Sequence, residues 1–378
     1  MTFNPKFTIT PKINKALVEI ERVRGFLDAV KLKDDWIADM QKKALILESY
    51  HSTHIEGTAL SLEQAKSILE GKKVTGVSRD DETELLNYKK AMDFISKYLG
   101  KDDPVSEGIV RELHKILVKG VRGENADPGN YRKIQNYVVN SRTREVVYTP
   151  PAPLEVPHLM REFTEWINKA EDVSPILVAG IAQFQFVHIH PFIDGNGRTA
   201  RLLSTLILYK TGYDFKRLFT ISEYYDKDRP SYYQAIQTVR RNNMDMTTWL
   251  EYFVNGLRSQ MIEVQAKGEQ LITQDSQLQK IKKIGLNKRQ EKAVKRLIIK
   301  VLPAFQWVRR CCSMAATNPG GGSHARHGAL RVSVRASGPM DRQSSGLGCT
   351  ARTGGCLGGA RTGSPVAVPG VRRAVEPL

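Results

Sequence analysis

The sequence predicts an all-α protein that carries a single β-hairpin. Apolar residues recur with the 3.6-residue period of amphipathic helices through much of residues 13–274, and only one short stretch is rich in β-prone residues. In addition, all four cysteines come after residue 310. Residues 1–310 therefore contain neither a disulfide framework nor a thiol nucleophile.

Helical periodicity begins in residues 13–50, where two stretches follow each other, INKALVEIERVRGFLDAV and WIADMQKKALILESY. A new helix is expected at Ser61, because its side chain can cap the helix while Gln64, three residues later, completes a capping box. Beyond it, the pattern predicts helices over residues 82–99, 107–119, 157–169, 176–188, 198–210, 230–242 and 247–274.

The hairpin is predicted within YRKIQNYVVNSRTREVVYTPPAP. Residues 134–139 and 145–148 are β-prone, the polar NSRT between them favours a turn, and prolines close the unit. We expect a lone hairpin on a helical body.

The net charge of +17 is unevenly distributed. Residues 308–378 contain ten Arg, no Lys and two acids, and they are rich in Gly, Ala and Ser without periodicity. Such a composition predicts either disorder or a shifted reading frame. The remaining basic charge is compatible with a nucleotide or nucleic-acid partner, although a solvated surface is the simpler interpretation.

Membrane association is not expected. No run reaches the roughly 20 apolar residues that a membrane span requires, and the N-terminal MTFNPKFTIT has no signal-peptide core. We therefore expect a cytoplasmic protein.

Residues 188–201 read HIHPFIDGNGRTAR and carry the strongest functional signal. The helical period that follows places DGNG in a loop leading into a helix N-terminus. Gly195 and Gly197 permit positive φ and let backbone N–H groups converge on an anion, and the helix dipole adds to this. Arg198 and Arg201 share one helical face, where both can bind phosphate oxygens.

Two further side chains supply the chemistry. Asp194 is a hard oxygen ligand suited to Mg²⁺ on a polyphosphate, and His190 has an unperturbed pKa near 6.5 that suits a general base. A phosphate cradle, a metal ligand and a base together indicate nucleotidyl or phosphoryl transfer to a hydroxyl. The alternative is a loop whose histidine is satisfied in the core and whose arginines pair with nearby acids.

HPFIDGNGRTAR resembles the Fic motif, HxFx(D/E)GNGRxxR, at every defined position. The resemblance extends from about Ser52 to Leu257 and includes DPGNYRK, the VVYTPPAP flap region and HLMREFTEW. It implies a Fic-type helical bundle with a hairpin flap, acting as a protein adenylyltransferase. Such an enzyme uses Mg²⁺ and transfers AMP from ATP to a Ser, Thr or Tyr hydroxyl of a target protein. Kinase-type members carry a different loop, so GNGR favours AMP transfer.

The resemblance also implies residue roles. His190 would deprotonate the target hydroxyl, Asp194 would hold Mg²⁺ against the α- and β-phosphates, and Arg201 would hold the γ-phosphate. The flap would hold a target segment beside His190 by adding a strand. The implied nucleotide-binding set is Glu56, Asp194, Gly195, Asn196, Gly197, Arg198, Thr199, Ala200, Arg201 and, at the adenine, Tyr233.

A second signal is STHIEG, residues 52–57. Gly57 is typical of the position just after a helix, which leaves Glu56 in the last turn, where the helix dipole disfavours a carboxylate by roughly 0.3–1 kcal/mol. Beside a Fic motif, the pattern resembles the family's inhibitory helix, (S/T)xxxE(G/N), through Ser52, Glu56 and Gly57. The resemblance implies that Glu56 pairs with Arg201 in the place of the γ-phosphate.

These patterns predict four regions. They are an N-terminal helical region with the inhibitory helix (1–80), a Fic catalytic domain (81–260), a helical linker with the start of a winged-helix domain (261–307), and the tail (308–378). LNKRQEKAVKRLIIK resembles the first helix of a winged-helix domain, but the resemblance stops near Leu302. A recognition helix is missing, which argues against DNA binding through this region.

Several alternatives remain open at the level of sequence. The transferase could use another nucleotide donor, or the enzyme could remove AMP, with Glu56 orienting a water molecule. A nucleotide-sensing DNA-binding regulator is an alternative of another class. The target protein, the acceptor residue and the oligomeric state, a homodimer included, are not specified by the sequence.

Overall fold

A computed structural model describes residues 3–98, 103–121, 127–139, 143, 145–283 and 290. The described residues up to 283 belong to one compact unit. The tail at 308–378 lies outside the described residues, as does all but residue 290 of the predicted winged-helix start. The region boundaries at residues 80 and 260 stay predictions.

The described part of the chain is helical apart from one small sheet. Its elements, in chain order, are α1 (Pro11–Ala29), α2 (Asp34–Ile55), α3 (Leu62–Leu69), α4 (Arg79–Tyr98), α5 (Glu107–Val118), β1 (Val138–Val139), β2 (Val146–Tyr148), α6 (Val156–Lys169), α7 (Pro175–Ile189), α8 (Asn196–Lys210), α9 (Ile221–Lys227), α10 (Arg229–Arg241) and α11 (Thr247–Lys283). The predicted fold class, an all-α body with one hairpin, is confirmed.

Helix α7 lies at the centre of the core because it is apolar on every side. Nearly all of its residues are buried, which is typical of a helix enclosed by other helices. It packs most extensively against α8, and α11, α6 and α5 pack around the pair. The loop that joins α7 to α8 carries HPFIDG, so the motif is held between two rigid, buried helices.

Helix α2 extends further than the periodic stretch in the sequence. It continues through STHI to Ile55, and Glu56 caps its end by donating its backbone N–H to Thr53 O at 3.0 Å. Gly57 follows with a φ of +100°, in the region that glycine adopts without strain. The predicted capping box at the start of α3 is confirmed by reciprocal bonds between Ser61 and Gln64.

The hairpin is present but shorter than predicted. Strands β1 and β2 are antiparallel, with Val138 opposite Tyr148, Val139 opposite Val146 and an irregularity in register between the two pairs. Tyr148 fixes the hairpin to the body, because its hydroxyl donates to His188 O at 2.7 Å. Among the described helices, none is long and apolar enough to cross a membrane.

Candidate active site

The loop before α8 is built to hold backbone N–H groups in place. Gly195 has a φ of +78°, and a Cβ there would lie 2.9 Å from Val118 Cγ1, so the position requires glycine. Asn196 closes the turn with both side-chain atoms: its Oδ1 accepts from Phe192 N at 2.9 Å and its Nδ2 donates to Phe192 O at 3.0 Å. The first turn of α8 is thereby fixed as an anion site.

Some members of the predicted nucleotide-binding set have structural contacts instead. Thr199 is fully buried and donates its hydroxyl to Gly195 O at 2.8 Å, and Ala200 is buried in the core. The side chain of Asn196 serves the loop, as described above. These three side chains stabilise the loop and the first turn of α8, and they do not line the cavity at the N-terminus of this helix.

That cavity measures only about 30 Å³, roughly the volume that one water molecule takes up in the liquid. Ten residues from five parts of the chain surround it: Glu56, Val138, Val187, Gly197, Arg201, Tyr232, Tyr233, Ile236, Gln237 and Arg240. Tyr233, the residue predicted at the adenine, therefore lies beside the anion site, together with the neighbouring Tyr232.

Glu56 reduces the space in this cavity by resting on the N-terminus of α8. Arg201 donates from Nη2 to Glu56 Oε1 at 2.6 Å and to Ser52 O at 2.9 Å, and from Nε to Ser52 Oγ at 2.8 Å. A Cβ added to Gly197 would collide with Glu56 Oε1. The carboxylate thus occupies the place where a helix N-terminus and an arginine would otherwise receive an anion.

Arg198 is paired with a different carboxylate. Its Nη1 lies 2.9 Å from Glu84 Oε2 on α4, and both side chains are at most 2% exposed. Asp194 Oδ2 is 3.5 Å from Arg198 Nη2 and is much more open, with 37% of its side chain exposed. Glu84 was not identified from the sequence, because an ordinary helical glutamate gives no sign of a buried partner.

His190 ends α7 in the left-handed conformation, with a φ of 53° and a ψ of 57°. Such a backbone is strained for any residue with a Cβ, and strain of this kind clusters at functional sites. Its Nδ1 donates to Val187 O at 3.3 Å, and because a carbonyl only accepts, this leaves Nε2 as the acceptor. His190 is 1% exposed.

The surroundings of His190 keep the imidazole neutral. Burial lowers the pKa of His190 to about 3, against the opposing hydrogen bond to Val187, and the charges of Arg240 and Arg132 lower it further. A neutral ring is the form that can accept a proton from a hydroxyl.

Two residues that the sequence did not single out hold the motif loop. Arg132, in the DPGNYRK segment, donates from Nε to His190 O at 2.9 Å. His114 on α5 donates from Nε2 to Asp194 O at 2.9 Å and stacks on Phe192 with ring centroids 3.6 Å apart. DPGNYRK was a signal for Arg132, whereas nothing in the sequence marked His114.

The side chains present suit a Mg²⁺ ion that is bound to a nucleotide, but not a Mg²⁺ ion held by the protein alone. Within the described residues, no cluster of three or more His, Cys, Asp or Glu side chains could hold a metal ion. Mg²⁺ commonly binds through one or two carboxylates together with substrate phosphates, and Asp194 offers one accessible carboxylate beside the anion site.

A buried neutral imidazole in the loop before a helix N-terminus, with two arginines in the first turns of that helix, is compatible with transfer chemistry at a phosphate. Residues 104–208 match the model of the Fic/DOC family. The chain therefore contains a Fic domain over these residues.

Named relatives are similar to about half of the chain. The protein adenylyltransferase Fic of Culex quinquefasciatus is 35% identical over 203 residues, which cover 53% of this chain and 39% of the relative. The protein of the same name from Drosophila melanogaster is 33% identical over 202 residues, with the same coverage. The matched segment thus spans about two fifths of the length of these curated relatives.

Solved structures show the same fold. A Fic family protein from Desulfovibrio desulfuricans superposes with a TM-score of 0.62 at 26% identity, covering 70% of this chain and 77% of the other. Fic-1 from C. elegans superposes with a TM-score of 0.55 at 25% identity, covering 70% and 73% of the two chains.

Proposed function

We propose that this protein is an adenylyltransferase that transfers AMP from ATP to hydroxyl side chains of target proteins. The observation that carries the proposal is that the buried His190 begins the short loop that ends at the N-terminus of α8. That terminus presents Gly197 and Arg201 to an anion, and Tyr232 and Tyr233 line the same cavity. The adenylyltransferase names of the relatives support the choice of AMP as the transferred group.

In the proposed reaction, His190 Nε2 accepts the proton of the target hydroxyl. The hydroxyl oxygen forms a bond to the α-phosphorus, and the bond from that phosphorus to the bridging oxygen breaks, so that pyrophosphate leaves. The N-terminus of α8 and Arg198 orient the phosphates and balance the charge that develops on them. Mg²⁺, when bound, neutralises phosphate charge, and Asp194 is the residue that would hold it.

We also propose that Glu56 inhibits this reaction in the same chain. Its carboxylate accepts from Arg201 at 2.6 Å and lies against Gly197, where it competes with the γ-phosphate for the same donors. With 12% of the Glu56 side chain exposed, the carboxylate is close enough to solvent to leave without unfolding the core. Its departure would open the cavity to a triphosphate.

Label transfer from ATP to protein tests both proposals. We expect label from the α-phosphate, and none from the γ-phosphate, with a rate that rises by at least about tenfold in Glu56→Gly. A factor of ten corresponds to roughly 1.4 kcal/mol, which is within the range of one hydrogen bond to a charged group. Glu56→Gly combined with His190→Ala should lose the label.

The control is Glu171→Gly, in an exposed turn after α6, which should transfer label at the parental rate. Label from the γ-phosphate would make the protein a kinase and overturn the proposal. Absence of label in Glu56→Gly would refute AMP transfer from ATP, and repeating the assay with UTP or CTP would then test another donor. Equal rates for the parent and Glu56→Gly would refute inhibition alone.

A further inference from the structure

Helix α2 has a second face that the proposed inhibition does not use. Ser52 and Glu56 contact Arg201, whereas Glu48, His51 and His54 occur at successive turns and contact α9 and the start of α10. Residues three apart on a helix lie on one face, so these three side chains form a continuous strip along α2. We call the contacts of this strip the α2–α9 seam.

Asp226 is the centre of the seam. Its Oδ2 lies 2.7 Å from His51 Nδ1 and 2.8 Å from His54 Nδ1, and its Oδ1 accepts from Arg229 Nε at 2.7 Å. Only 5% of the Asp226 side chain is exposed. Burial raises the pKa of Asp226, but the hydrogen bonds from His51, His54 and Arg229 outweigh it and hold the pKa well below its usual range.

His54 joins α2 to this cluster in either tautomer. Its Nδ1 is also 2.6 Å from Arg229 Nη2, and arginine only donates. If Nδ1 carries a proton, His54 donates to Asp226, and if it does not, His54 accepts from Arg229. In both cases the last turn of α2 is bonded to the segment where α9 ends and α10 begins.

A second fixed point lies two turns earlier on the same face. Glu48 is buried, with 4% of its surface exposed, and accepts from Ser222 N at 3.1 Å, from the Ser222 hydroxyl, and from Tyr88 OH at 3.0 Å. This contact fixes the middle of α2 onto α9. Beyond Glu48, the side-chain hydrogen bonds that join α2 to α9 run through Asp226.

The end of a helix frays unless something holds it, because its last carbonyl groups lack partners within the helix. Glu56 stands at such an end and is followed by Gly57, which adds no side-chain contact. The seam restrains the turn that carries Glu56, on the side away from Arg201.

We propose that Asp226 is a positioning residue that fastens the last turns of α2 to α9 and α10, and so keeps Glu56 on Arg201. This inference rests on the proposed inhibition by Glu56. It adds that inhibition depends on a carboxylate that does not contact the anion site. Loss of the seam should then weaken inhibition even where Glu56 and Arg201 are both intact.

A double-mutant cycle with Asp226→Asn and Glu56→Gly tests the inference. Asp226→Asn should raise AMP transfer about tenfold in the parent, because a hydrogen-bonded charge is removed from the seam. In the Glu56→Gly background it should change the rate less than about twofold. A loss of activity in both backgrounds would assign Asp226 a merely structural role and overturn the inference.

The matched control is Asp228→Asn. Asp228 is exposed and caps α10 by accepting from Ser231 N at 3.1 Å, and asparagine caps a helix equally well. This variant should leave transfer at the parental rate. An activation as large as that of Asp226→Asn would show that the effect does not come from the seam.

Two further measurements test the inference without relying on the AMP transfer assay. The dissociation constant of a non-hydrolysable ATP analogue should be lower in Asp226→Asn than in the parent, whereas adding Asp226→Asn to Glu56→Gly should not lower it further. Amide hydrogen exchange of residues 50–56 should accelerate in Asp226→Asn. If no variant transfers AMP while both readouts change as expected, the proposed reaction fails and the seam stands. If neither readout changes, the inference is overturned whatever the transfer assay shows.

Discussion

Arg198 and Arg201 lie one turn apart on α8, yet their carboxylate partners differ in burial. Glu84 has no exposed side-chain surface, whereas 12% of the Glu56 side chain is exposed. A fully buried carboxylate cannot leave its arginine without stranding a charge in the core. At the scale of single residues, we therefore expect the pair with Glu84 to persist and the pair with Glu56 to be the one that can exchange for an anion.

This difference predicts opposite consequences for two substitutions. Glu84→Gln should lower the free energy of unfolding by about 3 kcal/mol, because it leaves the buried Arg198 with Asp194 as its remaining carboxylate. Glu82→Gln, two residues earlier on α4, should change it by less than about 0.5 kcal/mol. Urea denaturation measures both. Equal midpoints for the two variants would contradict the buried-pair argument.

The sequence identified the residues of the motif better than the residues that hold them. His190, Arg201 and Glu56 could be selected because short patterns fix their spacing. The structure pairs Arg201 with Glu56 and places His190 at the start of the loop before α8. Glu84 and Asp226 could not, since neither a glutamate within a helix nor an aspartate at its end reveals which distant side chain it meets. Burial of a charge is a property of tertiary packing.

At the scale of elements, close packing of helices depends on small residues. Gly180 on α7 faces α11, and a Cβ there would lie 2.8 Å from Phe253 Cδ1 and 3.0 Å from Leu250 Cδ2. Both neighbours are buried and cannot move without disturbing the core. Gly25 on α1, in contrast, is exposed with nothing within 4 Å of an added Cβ.

These two glycines give a matched pair of Gly→Ala substitutions. Gly180→Ala should destabilise the protein by roughly 1–3 kcal/mol through overpacking. Gly25→Ala should stabilise it by about 0.5–1 kcal/mol, because alanine loses less backbone freedom in a helix. Thermal unfolding of both variants is the measurement. A Gly180→Ala protein as stable as the parent would show that α7 and α11 can separate at little cost.

Periodicity predicted the long helices and missed the short one. The helices of ten or more residues were found because several turns repeat the apolar pattern, whereas α9 has only seven residues, ISEYYDK, which is too short for the pattern to repeat. The hairpin was predicted too long because β-prone residues extend beyond the five residues of the two strands. Strand pairing depends on the partner strand, and the β-propensity of single residues carries no information about that partner.

At the scale of the whole molecule, three buried imidazoles link stability to pH. Burial lowers the pKa of His114 and of His188 to about 4, as it lowers the pKa of His190 to about 3. All three titrate near 6.5 in an unfolded chain. Between these values the unfolded chain binds more protons than the folded one. Their contribution to stability is thus complete above pH 6.5 and is lost as the pH falls below it.

We therefore expect the free energy of unfolding to decrease by about 2 kcal/mol for each of these histidines between pH 7 and pH 5. His188→Gln should remove one share of this slope, whereas His158→Gln, on the exposed face of α6, should leave the slope unchanged. Urea denaturation at several pH values measures the slope. A parental slope in His188→Gln would mean that His188 is already protonated in the folded protein at these pH values, contrary to the effect of its burial.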